Sequence, residues 1–442
     1  MSNGGIPVPP GGRRRVAVIG AGYVGLPTAA TLSHFGHDVV CAERDPDRFA
    51  VLARGQVPIM EKGLGELLAE GTGRGTLRFV ASAVDAVVGC EFVFLCVPTP
   101  QGDDGSADLS YVEAAAGEIA SALAPGAIVV NKSTVPVGTA LLVERVTGRP
   151  DITVVSNPEF LREGTAVNDS LHPDRVVVGA DDQRAAGKVG ALFAATGAPL
   201  IVTDTTTAET IKYASNAFLA TKLSFVNSIA GVCESVGADV RDVILGLGYD
   251  RRIGFEYLRP GPGWGGSCLP KDTRALLHIA QSAGFDFDLL RGAIASNDAQ
   301  MVRVLAKVVA AVGGTLAGTT IGVWGLTFKS GTDDRRSSPA VDLAQRLAEA
   351  GAAVQAFDPT VGRPAGPGPA DLAGISICPD AYEAARGARA LVLLTEWDEF
   401  RGLDFHKVRD LMASPAIVDA RNLLDPSALR RVGFSYTGVG RP

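Results

Sequence analysis

Arg15-Val-Ala-Val-Ile-Gly-Ala-Gly-Tyr-Val-Gly25 carries a short apolar run straight into three glycines, spaced Gly20-x-Gly22-x-x-Gly25. Apolar and small residues continue through Ala29, Ala30 and Leu32 to Gly36, a residue suited to close a helix. A second apolar run, His37 to Ala42, ends in Glu43. Strand, glycine turn, helix, strand and terminal acid form the dinucleotide-binding fingerprint in its required order. The glycines allow a tight turn and close approach of a pyrophosphate, which rests on the helix N-terminus. Glu43, about 20 residues on, is placed to accept hydrogen bonds from ribose hydroxyls and would repel a 2′-phosphate. NAD is therefore expected over NADP, although Arg44 follows immediately.

Further apolar runs at 92–97, 127–131, 152–155 and 175–178 alternate with helical stretches, which predicts a parallel sheet covered on both faces. Ligands meet the carboxyl ends of strands in such sheets. Polar motifs fall there: Pro98-Thr-Pro100, then Lys132-Ser-Thr-Val-Pro-Val-Gly-Thr139, then Asn157-Pro-Glu-Phe-Leu-Arg-Glu163. Glu159 and Glu163 fit either a site or a solvated helix start with acids near the positive end of its dipole.

A long helix is expected from 208 to 236, with Glu209, Lys212 and Asn216 on one stripe. Glu209 and Lys212 would suit a salt-bridged exposed face, and Asn216 a pocket. Arginines and aromatics between Asp250 and Arg259 lead into Gly261-Pro-Gly-Trp-Gly-Gly-Ser-Cys-Leu-Pro-Lys-Asp272. Glycines and prolines make this a bent loop, and its centre, Cys268, lies beside Lys271 and Asp272. A ligand can approach such a cysteine closely, and a neighbouring cation favours its thiolate. The same cysteine could also be an incidental buried one in a glycine turn. Another helix is expected from 293 to 312.

From Thr320 the order strand, loop, helix, strand, acid returns, closing on Asp358, with Pro339 at the helix start. Its loop is longer and more polar, and Lys329, Arg335 or Arg336 would hold a second phosphate-bearing ligand. Residues 362–369 are expected to be a surface loop, and strands at 390–394 and 416–419 to complete this sheet. The expectation is an α/β chain of two Rossmann-like, doubly wound parallel-sheet domains joined by a central helical domain. Its parts are a disordered leader 1–14, then domains at 15–205, 206–313 and 314–442.

Composition excludes other classes. Of 442 residues, 46% are hydrophobic and 20% charged, and the formal net charge of −7 disfavours nucleic acid as a partner. No run approaches the ~18 apolar residues of a membrane span. The Gly/Pro-rich start has no apolar signal segment, so a cytoplasmic protein is expected. Six cysteines without C-x-x-C spacing, and five histidines, argue against zinc and against a disulfide framework.

Taken together the motifs resemble the UDP-glucose/GDP-mannose dehydrogenase family over nearly the whole chain. The matching stretches are Gly20–Gly25, Val97–Pro100, Lys132–Thr139, Asn157–Gly164, Lys212 with Asn216, and the Cys268 loop. They continue with Phe328-Lys329, Thr332-Asp333-Asp334, Glu396-Trp397, and Asp419 with Arg421. The resemblance implies a four-electron oxidation of a sugar CH2OH to a carboxylate with two NAD+, through a thiohemiacetal and thioester on Cys268. It implies oxyanion donation by Lys212 and Asn216, and water held or activated by Glu163, Thr134 and Asp272 with Glu159 nearby. Asp272 could instead only orient Lys212. It assigns to the cofactor Gly20, Gly22, Tyr23, Val24, Gly25, Glu43, Arg48, Pro98, Thr99, Ser133, Thr134, Glu163, Lys271 and Arg336. It assigns to the sugar nucleotide Glu159, Phe160, Leu161, Arg162, Lys212, Asn216, Arg252, Tyr257, Leu258, Gly265, Cys268, Phe328, Lys329 and Arg421, with Arg252 reaching across a dimer interface. A homodimer or higher homo-oligomer and no metal follow. The loop from Gly261 is similar to the UDP-glucose branch, with dTDP-glucose or GDP-mannose as alternatives, and Ser267 before the cysteine disfavours the N-acetyl-mannosamine branch. A two-electron NAD-dependent dehydrogenase and a non-catalytic nucleotide sensor are the rival classes.

Overall fold

The apolar run at Arg15 becomes strand β1 (Arg15–Ile19), buried at every position after the first. A computed structural model describes residues 12–102, 104–362 and 370–441. Residues 1–11 of the expected leader, and all but Gly362 of the expected loop at 362–369, lie outside them.

By internal contacts the chain forms two units. One holds the residues up to Ser215 with Arg274–Ile279, and the other holds Asn216–Thr273 with everything from Ala280 on. The boundaries fall inside two helices, Thr205–Val236 and Leu269–Ser282, each continuous in its backbone.

The first unit is built on an eight-stranded sheet. To β1 it adds β2 (Asp38–Ala42), β3 (Leu77–Val80), β4 (Phe92–Leu95) and β5 (Ile128–Asn131). β6 (Thr153–Ser156), β7 (Val176–Gly179) and β8 (Leu200–Thr203) extend it, in the order β3-β2-β1-β4-β5-β6-β7-β8. Strand order reverses between β1 and β4, where a doubly wound sheet opens its ligand crevice. All neighbours are parallel but one: β6 meets β7 antiparallel, through Ser156 and Gly179. The sheet is mixed at that point, a departure from the purely parallel sheet expected. The helix after the glycine turn, Gly25–His34, ends as anticipated at Gly36. Gly36 has φ 94°, its N–H donates to Ser33 and that of His37 to Leu32, so the last carbonyls are satisfied.

The second unit carries a six-stranded, all-parallel sheet. Its strands are β9 (Thr320–Trp324), β10 (Ala353–Phe357), β11 (Ile375–Ile377), β12 (Ala390–Leu393), β13 (Ala416–Asp419) and β14 (Ser435–Gly438). Their order is β11-β10-β9-β12-β13-β14, so β12 and β13 do not complete the sheet as expected. The helix Pro339–Glu349 starts at its proline, where Ser338 Oγ accepts from the Ala340 N–H. Ala230 and Cys233 from one central helix and Met301 and Val304 from another, Asp288–Ala311, share one apolar cluster with Ile321, Val323 and Val392 of this sheet. That common core is why the central helices belong with the second sheet. Among the described residues no helix is long and apolar enough to cross a membrane.

Candidate functional site

In the first unit the three glycines meet three different demands. A Cβ on Gly20, which has φ +99°, would lie 2.5 Å from the Cys96 carbonyl oxygen, and one on Gly25 only 1.8 Å from that of Gly20. A Cβ on Gly22 would meet nothing within 4 Å. The outer glycines are needed by the fold, whereas Gly22 leaves open space before Tyr23, Val24 and the helix start. That is the fit a pyrophosphate requires. Glu43 is buried just past β2 and accepts from the N–H groups of Ala21, at 3.3 Å, and Asp45, at 2.9 Å. Arg48 reaches the Ala21 carbonyl at 3.3 Å, so acid and guanidinium both brace the glycine turn. At the ends of β4 and β5 the motif loops are tied together. Thr99 Oγ1 donates to the Thr134 carbonyl and Ser133 Oγ to that of Val97, one residue before Pro98.

Beyond β6 no helix starts at Asn157. Glu159 is buried in a loop, and Lys212 Nζ donates to its Oε1 at 2.7 Å. Both side chains are 4% exposed. This corrects the solvated readings of both residues, because neither charge has water to rest in. Burial alone would raise the Glu159 carboxyl. The Lys212 ammonium, the Leu161 N–H at 2.7 Å and the charge of Lys132 nevertheless hold it below the ordinary value. The Phe160 ring lies 5.4 Å from Lys212 Nζ, and Arg162 forms a two-pronged pair with Asp169. Glu163 is half-buried in the turn before the helix Ala166–Leu171.

Glu209 departs furthest from expectation. It is buried and accepts from Gly138 N–H at 2.7 Å, Ala140 N–H at 3.3 Å and Ser156 Oγ at 2.9 Å. Burial raises its carboxyl pKa. It thereby anchors the loop carrying Ser133 and Thr134 to the helix carrying Lys212.

In the second unit Asn216, one turn past Lys212, donates to Asp272 Oδ2 at 2.6 Å. Lys271 Nζ donates to Asp272 Oδ1, also at 2.6 Å, and Asp272 is wholly buried. Asp272 N–H donates to the Cys268 carbonyl, which makes Cys268 the cap of the helix Leu269–Ser282. Its Sγ lies 3.6 Å from Ser267 Oγ. Polar side chains hold the preceding loop: Asn227 and Gln300 clasp the Gly261 amide and carbonyl, Asn297 bonds both main-chain groups of Trp264, and Ser224 accepts from the Trp264 indole N–H. Gly265 and Gly266 press on the next motif loop. Their Cβ atoms would lie 2.2 Å from the Ser337 carbonyl and 2.8 Å from the Phe328 ring.

Arg421 reaches into the same region, donating to the carbonyls of Leu394 and Phe328 and pairing with Glu396 at 3.0 Å. Lys329 Nζ stands 5.4 Å from the Phe328 ring. Arg336 is held by Asp334, and Leu258 is buried. Arg252 is exposed and braced by Asp250. Tyr257, Ser337 and Asn422, the non-glycine residues with positive φ among those described, lie at or beside residues expected to bind the substrate or the cofactor. The sequence reading missed that strain and the Ser224, Asn227, Asn297 and Gln300 cradle. Their signal was polar residues three apart in helices otherwise rich in apolar ones.

The UDP-glucose/GDP-mannose dehydrogenase family matches in three parts: its NAD binding domain over residues 14–196, its central domain over 206–299 and its UDP binding domain over 322–426. A UDP-glucose 6-dehydrogenase of Rhizobium meliloti (strain 1021) is 46% identical, covering 97% of this chain and 100% of its own. One of Pseudomonas aeruginosa is 43% identical, covering 97% and 98%. Among solved structures, a UDP-glucose dehydrogenase from Pyrobaculum islandicum superposes with a TM-score of 0.88 at 36% identity, over 97% of this chain and 98% of that one. A UDP-D-ManNAc dehydrogenase from Pyrococcus horikoshii gives 0.85 at 29% identity, over 97% and 99%. With the glycine turn, the capped cysteine and the Lys212 and Asn216 helix all in place, the chain belongs to the UDP-glucose/GDP-mannose dehydrogenase family.

Proposed function

We propose that this chain is an NAD-dependent UDP-glucose 6-dehydrogenase, oxidising the sugar C6 alcohol to a carboxylate in two two-electron steps. The observation that carries this reading is Cys268 at the cap of a helix, in a loop with polar clasps, with the Asn216–Asp272–Lys271 network one turn away. A helix N-terminus favours a thiolate, and the loop's glycines admit a substrate to it. Bound NAD+ supplies the hydride acceptor for each oxidation. After the first, the Cys268 sulfur bonds to the aldehyde carbon while the carbonyl pair moves to oxygen. Lys212 and Asn216 donate to that oxyanion. Loss of a second hydride from the thiohemiacetal carbon gives a thioester, and water replaces sulfur, releasing the carboxylic acid and restoring the thiol. Glu163, Thr134 and Asp272 hold or activate the water, and Glu159 holds Lys212 in place.

Glu43 takes the adenosine ribose. Gly20, Gly22, Gly25 and the helix start take the pyrophosphate, with Arg48, Pro98, Thr99, Ser133, Lys271 and Arg336 completing the cofactor's surroundings. Phe328, Lys329 and Arg421 take the nucleotide diphosphate, and Tyr257, Leu258, Gly265 and residues 160–162 the sugar and phosphate. The parts expected at 15–205, 206–313 and 314–442 serve cofactor, chemistry and sugar nucleotide in turn. A cytoplasmic homo-oligomer, at least a dimer with Arg252 supplied between chains, completes the reading.

The test is NADH formed per sugar nucleotide consumed, with UDP-glucose, dTDP-glucose and GDP-mannose in parallel. Two NADH and a uronic acid product from UDP-glucose are expected. One NADH would reduce Cys268 to a loop residue, and none with any sugar would favour a sensor.

A further inference from the structure

The first unit contains a cavity of about 230 Å³ lined by the loop from Asn157 to Arg162, by Val176 of β7 and by Thr28 and Thr31 of the helix Gly25–His34. Two cations line it. Lys132 is buried, its ammonium donating to Asn157 Oδ1 at 3.0 Å and facing the Phe193 ring at 5.2 Å. Arg175 sits over the Phe160 ring, its guanidinium carbon 3.6 Å from the centroid. Among the described residues neither has a carboxylate within ion-pair distance. Glu159 is paired with Lys212 and acts on Lys132 only through space, and Asp169 is paired with Arg162. Asp174 acts on Arg175 only through space. A third group points the same way. Thr31 is 2% exposed and lines the cavity, yet its hydroxyl has no hydrogen-bond partner. Buried polar groups of native proteins nearly always find partners, and a buried lysine beside a half-buried arginine calls for negative charge.

We infer that this cavity is a binding site for a small oxyanion, a carboxylate or phosphate group held by Lys132, Arg175 and the Thr31 hydroxyl. The volume admits more than the oxyanion itself, and the Phe160 and Phe193 rings leave room for a short apolar body. No residue of the glycine turn lines it, and although its rim includes residues 160–162, which the proposed function gives to the sugar and phosphate, the oxyanion is held by other side chains and the site stands whether or not the sugar nucleotide is UDP-glucose. Phe160 is shared, with Arg175 on one contact and Lys212 on the other. An anion that draws Arg175 therefore acts on the ring beside the buried lysine.

Inorganic phosphate and malonate, titrated separately by calorimetry into the full chain saturated with NAD+, with and without saturating UDP, test this directly. One site per chain is expected, and whichever anion binds tells phosphate from carboxylate. Arg175→Gln should weaken it about tenfold or more, the loss of a charge-assisted hydrogen bond, and Thr31→Val about threefold. Thr31→Val should leave the melting temperature level or raised, since its hydroxyl has no partner to lose. It also carries the test should Arg175→Gln fold poorly. No binding by either anion, or affinity unchanged in both variants, would overturn the site. So would binding abolished by UDP, which would merge the cavity with the sugar-nucleotide site.

Discussion

Glu159 and Lys212 are charges that the fold has removed from water, and that fixes what their removal should do. With both side chains 4% exposed and 2.7 Å apart, each depends chiefly on the other for its charge. Glu159→Gln should cost about 3–5 kcal/mol in urea unfolding, and adding Lys212→Met should recover part of it. The same pair predicts a pH dependence. The folded Glu159 pKa is depressed, so its contribution is fully present above the ordinary carboxylate value and is lost as pH falls below it. Between about pH 5 and pH 3 the parent protein should lose more stability than Glu159→Gln, and parallel curves would show that the pair carries no such linkage. Cys268 is different, for it is half-buried and caps its helix through a backbone carbonyl that serine would keep. Cys268→Ser should keep the melting temperature and the NAD Kd while acid formation falls on the order of 10³-fold or more. Turnover near the parent value would remove the covalent step.

At the scale of elements, the glycine turn separates folding from binding. Gly25→Ala should destabilise by more than about 3 kcal/mol, because its Cβ would sit 1.8 Å from a backbone oxygen. Gly22→Ala meets open space, so stability should change by no more than about 0.5 kcal/mol while NAD binding weakens more than about tenfold. Calorimetry with NAD and thermal melts on both variants check the contrast, and equal losses of stability would contradict it. The turn was legible in the sequence because its glycines, strand and acid are local. Interior strands were legible for a related reason: β1, β4, β5, β9, β12 and β13 are buried on both faces and read as unbroken apolar runs. The strands that escaped notice, β3, β8, β11 and β14, are the four sheet edges, partly exposed and correspondingly weak in pattern. Glu209 escaped for another reason. Its partners, Gly138, Ala140 and Ser156, lie more than fifty residues away, and a helical acid beside a lysine reads locally as a surface pair.

At the scale of the whole molecule, a net charge of −7 leaves anionic ligands to be held by placed cations and helix starts, and the proposed function extends the arrangement of those groups beyond one chain. On the helix Thr205–Val236, Phe218, Phe225 and Val232 recur every seventh residue and are 69%, 51% and 55% exposed. Residues seven apart drift only about 20° around a helix, so these three make one apolar stripe. Exposed apolar surface of that extent marks an interaction face, and a second copy of the chain is the partner the proposed function requires. Arg252, braced by Asp250 and 89% exposed at its side chain, is then available to a neighbouring chain's substrate. Phe225→Asp places a charge in the middle of the stripe and should shift sedimentation from an oligomer toward monomer without lowering the melting temperature measured for the isolated chain. Its kcat/KM for the sugar nucleotide should fall together with that of Arg252→Ala. Mixing the two variants should restore no activity if the oligomer is lost with Phe225. A monomeric parent protein, or a Phe225→Asp oligomer of unchanged size, would detach the stripe from assembly.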